Sequence, residues 1–75
     1  MSDNGRNFVK CIGELVIATL AMKNEPSEDN RIAFLNRQRE AVAASVEYAN
    51  FVNNGKSESD CVAMIQKCVD ELLAE

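Results

Sequence analysis

Three cysteines, Cys11, Cys61 and Cys68, and a scatter of carboxylates are the residues of this 75-residue chain best equipped for chemistry, and no histidine accompanies them. A serine or cysteine nucleophile needs an adjacent base, and imidazole is both the usual base and the commonest metal ligand. Its absence closes most routes to nucleophilic catalysis. Cys61 and Cys68 stand seven residues apart. On one helix two turns would separate their Cα atoms by about 10.5 Å, beyond the roughly 7 Å that a disulfide can span. Structural zinc sites pair their cysteines about two to four residues apart, a spacing missing here. Reduced, buried core thiols are therefore the expectation, and a cytoplasmic location with them. An intersubunit disulfide or a redox-active thiol is the alternative. Gly5, Gly13 and Gly55 are isolated from one another and form no phosphate-cradling loop. Glu14 and Asp70 have the chemistry of catalytic acids, but carboxylates on helical faces are normally just solvated. No enzyme, metal or cofactor is expected.

One polar constellation stands out. Gln38, Ser45 and Tyr48 fall within an otherwise apolar helical stripe, with Arg31 at its start. Buried polar groups need hydrogen-bond partners. These side chains either satisfy one another or a neighbouring subunit, fixing the register of packing, or they line a pocket between subunits. In the second case Arg31 would supply charge for an anionic metabolite or nucleotide.

The elements that must position these groups are helices. Composition is that of a globular protein, 47% hydrophobic and 27% charged. Net charge is −4, concentrated in the last third of the chain, which argues against binding nucleic acid or an anionic membrane. The stretch "FVKCIGELVIATLAM" at residues 8–22 is apolar enough to raise the question of a membrane span or a secretory leader. It is shorter than the about 20 residues a span requires and carries Lys10 and Glu14. Glu14 also interrupts a leader's apolar region, and Asp3 spoils its basic start. A core helix is the better reading.

Periodicity predicts an all-α fold of three helices, over about 7–22, 28–53 and 58–74, in a single domain spanning residues 1–75, with 1–6 a flexible N-terminus. Pro26 ends the first element, and Ser27, followed by Glu28 and Asp29, caps the second. Gly55 is the expected left-handed C-cap of that second helix. Ser57, with Asp60 three residues on, opens the third.

Lengths and faces then suggest assembly. The apolar arc of the first helix covers roughly 200°, wider than the stripe of about 100° that a surface helix needs. A long central helix flanked by two short ones would keep apolar surface uncovered at each end. Such patches usually mark interaction sites. The reading is an intertwined helical homodimer with Phe8, Ile12, Val16, Leu20, Ile32, Phe51 and Val52 at the interface. A bent central helix closing a monomeric bundle is the alternative. Functionally the chain reads as a small protein-binding module of bacterial or phage type, a regulatory adaptor or an inhibitor of an unidentified partner protein. A small-ligand binder with its site at the subunit interface is the second reading.

Overall fold

The structure, a computed structural model, describes residues 3–75. Three helices account for most of them: α1 (Asp3–Asn24), α2 (Glu28–Val52) and α3 (Glu58–Ala74). No strand occurs among the described residues.

Each boundary has a local chemical cause. The N–H of Glu25 still donates to Ala21 at 2.9 Å, and the chain breaks at Pro26. At Ser27 the backbone turns extended, and its hydroxyl accepts from the Asn30 N–H at 3.1 Å. The far end of α2 departs from expectation. Asn53, not Gly55, takes the left-handed cap, at φ 53° and ψ 46°. Its N–H donates to Asn50, while the next N–H, of Asn54, reaches back to Ala49, each at 3.3 Å. Together these two bonds make a Schellman closure. Asparagine tolerates the left-handed region better than other residues with a side chain, so the turn forms two residues earlier. Gly55 is also left-handed, at φ 75°, but lies in the linker. Ser57 and Asp60 then complete a reciprocal capping box, with both bonds at 3.2 Å.

At its start α1 begins at Asp3, four residues earlier than periodicity suggested. Residues 3–6 of the expected flexible N-terminus are thus helical, and residues 1 and 2 lie outside the described range. Apolar periodicity did not mark this turn because Asp3, Asn4, Gly5 and Arg6 carry no large apolar group. With 22 residues against the 25 of α2, α1 covers most of its neighbour's length.

α1 and α2 form an antiparallel hairpin. Phe8 near the start of α1 stacks on Tyr48 near the end of α2, with ring centroids 5.4 Å apart and planes within 14°. Midway, Arg37 pairs with Glu14 at 2.9 Å. At the closed end the Asn30 side-chain amide donates to the carbonyls of Ala21 and Glu25. Ala41, Ala44 and Ala49 are buried in α2, and small residues there let helices approach closely. α3 runs antiparallel to α2 and contributes Cys61, Ile65 and Val69 to the interior. The core cluster is Leu15, Phe34, Ala41, Ile65 and Val69. Thr19 is fully buried as well, and its hydroxyl donates to the Leu15 carbonyl at 2.7 Å. Lys23 fastens the far end of α3 by donating to the carbonyls of Leu72, at 3.0 Å, and Glu75. A cation at a helix C-terminus satisfies its orphan carbonyls and opposes its dipole.

Candidate functional site

The polar stripe of α2 divides into separate places. Gln38 donates to the Gln66 side chain at 3.0 Å, and Gln66 donates onward to Asp70 at 2.9 Å. This is a surface strap tying α2 to α3. Ser45 is buried and Tyr48 half-buried, and both line a cavity of about 240 Å³ at the open end of the hairpin. Phe8, Cys61 and Met64 share that lining, with exposed Lys56 and Asp60. Arg31 sits 17 residues before Tyr48, about 25 Å along the helix axis. There it borders an open hollow with Met22 and Pro26. The structure therefore brings Ser45 and Tyr48 together and leaves Gln38 and Arg31 apart from them.

At about 240 Å³ the cavity is smaller than the about 300–1,000 Å³ of typical small-molecule sites, and its walls are mainly apolar. Two of its polar residues have structural roles: Asp60 is bound to the Ser57 cap, and Tyr48 is stacked on Phe8. Lys56 is the remaining charge on the lining.

The thiols are separate. Cys61 is buried, Cys11 half-buried and Cys68 exposed, and all three are free. Burial pushes the Cys11 thiol above its ordinary pKa, and the carboxylates of Glu14 and Glu40 push the same way. That shift lowers its thiolate fraction and works against nucleophilic reactivity. Among the described residues no group of three or more cysteine, aspartate or glutamate side chains is placed to hold a metal ion, and no helix is long and apolar enough to cross a membrane.

What the surface carries in quantity is hydrocarbon. Val9, Ile17, Leu20, Ile32, Leu35, Phe51, Val52, Val62, Met64 and Leu73 are all exposed. Leu20, Ile32, Phe51 and Val52 of the predicted interface belong to this set, and Val16 is half-buried. Phe8 and Ile12 do not belong to it. Phe8 is stacked on Tyr48, and Ile12 is packed against the core. The outward apolar residues of α1 are instead Val9 and Ile17, with Leu20. The wide arc of α1 signalled that two apolar faces exist, and only the docking of α2 decides which one turns inward.

Electrostatics around this surface are those of ordinary paired charges. Arg37 bridges Glu14 and Glu40 at 2.9 and 3.0 Å, and Lys10 lies 3.9 Å from Glu14. Comparison of the chain with protein-family models, with curated proteins and with solved structures gives no match in any of the three, so the reading of its function rests on this geometry.

Proposed function

We propose that the chain is a non-enzymatic helical interaction module that self-associates as a homodimer and binds another protein, as a regulatory adaptor or an inhibitor does. The observation that carries this reading is the set of ten large hydrophobic side chains left exposed on so small a chain. Exposed apolar side chains in this number suit docking by a helical face. The lack of histidine and the unreactive setting of Cys11 favour binding over catalysis. Three free thiols suit a reducing compartment, and the cytoplasm is the proposed location.

Light scattering at micromolar concentration should return about twice the 8.3 kDa of one chain. Capture on the immobilised protein should recover one stoichiometric partner. Phe51→Lys, at an exposed end of α2, should weaken one of these two associations without loss of helicity. A monomer mass together with an empty capture ends the proposal.

The cavity beside Ser45, Tyr48 and Lys56 favours a second reading, a binder of a small anionic metabolite or nucleotide. Tight binding to the native state raises the melting temperature, so a panel of such compounds separates the two readings. If no compound shifts melting while a partner protein is recovered, the ligand reading falls.

A further inference from the structure

One face of α1 is an exposed apolar stripe with a glycine at its centre. Val9, Gly13, Ile17 and Leu20 follow one another at helical spacing, with Val16 at the edge. Val9 is 57% and Ile17 71% exposed, so this stripe is open along its length. Gly13 stands at its centre, itself exposed, and a Cβ added there would meet nothing within 4 Å. Glycine weakens a helix interior relative to alanine, and nothing within the chain calls for it here. A glycine amid outward apolar residues does permit another backbone to come close.

We propose that the occupant of this face is α1 of a second copy, crossing antiparallel about a two-fold axis at Gly13. The inference rests on the interaction-module reading and names its self-association surface. The stripe is self-complementary about the glycine. Val9 and Ile17 lie four residues to either side, so each Val9 meets the Ile17 of the other copy. Arg6 and Leu20 lie seven residues to either side, and the arginine stem can cover the leucine. A contact of this kind closes on itself, as an isologous interface must.

Charge selects the orientation. The N-terminal half of α1 carries exposed Arg6 and Lys10, with Asp3 in its first turn. The last turn of α1 carries Lys23, which is taken up by the carbonyls of Leu72 and Glu75, and around it lie exposed Glu25, Glu71 in the last turn of α3 and Glu75 just past it. An antiparallel crossing carries the basic end of each copy toward the acidic end of the other. A parallel crossing would set Arg6 against Arg6 and Lys10 against Lys10.

The chain exposes 5109 Å², against about 4,600 Å² for a compact monomer of its mass, so a single elongated copy leaves more surface uncovered than its size requires.

Gly13→Lys tests the proposal. The substitution meets no neighbour within the chain and improves helix propensity, so the circular dichroism of the folded chain should be retained. At the crossing it would place two charges against apolar surface, raising the dimer dissociation constant roughly a hundredfold. Val62→Lys, on exposed α3, should leave that constant unchanged. The geometry has its own readout in a Cys11→Ser, Cys68→Ser background, which leaves only buried Cys61 of the native thiols. Oxidising a mixture of Val9→Cys and Ile17→Cys chains should give the mixed disulfide, whereas Val9→Cys alone should give none. A wild-type dimer that Gly13→Lys leaves intact, or cross-linking between Val9→Cys chains alone, overturns this interface but not the module reading. A wild-type chain that stays monomeric overturns the interface too, and partner capture then judges the module reading separately.

Discussion

Asp60 is fully exposed, yet its carboxylate accepts the Ser57 backbone N–H while its own backbone N–H donates to the Ser57 hydroxyl, closing the cap of α3. Hydrogen bonding to Ser57, the backbone N–H first and the side chain second, lowers its pKa below the ordinary 3.8. The sign follows from linkage. A carboxyl whose folded pKa is depressed contributes stability that is fully present above its unfolded pKa and is lost as pH falls through the lower folded value. Thermal unfolding followed from neutral pH down through and below 3.8 should therefore show an acid limb, and Asp60→Asn should flatten it. If both proteins lose melting temperature in parallel as pH falls, the capping carboxylate is not its source. Residue types made this feature legible in advance, because Ser57 and Asp60 hold the capping-box spacing. The fate of Gln38, Ser45, Tyr48 and Arg31 was legible only in part. Their common stripe announced polar groups on a packing face. The angular spread of that stripe and its length along the axis, which send Gln38 to Gln66 and Arg31 to the far end, emerge only once α1 and α3 are in place.

Helix ends were readable wherever chemistry punctuates the chain, and less so where it does not. Ser27 and Ser57 cap as their types require, whereas Asn53 pre-empted Gly55 because either residue accepts a left-handed turn. The first turn of α1 has no apolar residue to announce it. Burial choices between equivalent faces were the least legible: Phe8 and Val9 are neighbours in sequence, and packing against Tyr48 turned the first inward and left the second in solvent. α3 provides a quantitative case. Its attachment depends on three buried residues, and Ile65 at 0% exposure is the largest of them. Truncating a buried isoleucine to alanine costs about 2–5 kcal/mol. A domain of this length has roughly 4–11 kcal/mol of stability in all. Ile65→Ala should thus remove a large share of it. Urea unfolding should show a much lower midpoint, and hydrogen exchange should show α3 losing protection before the α1–α2 hairpin. A change below about 1 kcal/mol would mean that α3 is not docked through this residue.

For the molecule as a whole, shape and surface point the same way. Its radius of gyration is 12.6 Å, against about 11.3 Å for a compact domain of 75 residues, and its extents are 38 × 21 × 18 Å. An elongated three-helix body exposes more surface for its mass and buries less, so a single copy has a small margin of stability. Joining a second copy along α1 would enlarge the buried apolar area without lengthening the chain, one of the few devices open to so small a domain. Self-association of this kind couples stability to concentration by mass action. Each tenfold rise in protein concentration should favour a folded dimer over two unfolded chains by about 1.4 kcal/mol. For a dimer of roughly 150 residues that corresponds to a melting-temperature rise of about 4 °C per tenfold step. Gly13→Lys should abolish this dependence even though its own helix is strengthened. Its melting temperature would then cross that of the wild type, lying above it in dilute solution and below it in concentrated solution. A wild-type melting temperature that is flat across the concentration series would mean that folding draws nothing from a second copy, and the apolar face of α1 would then have to be explained by a different partner.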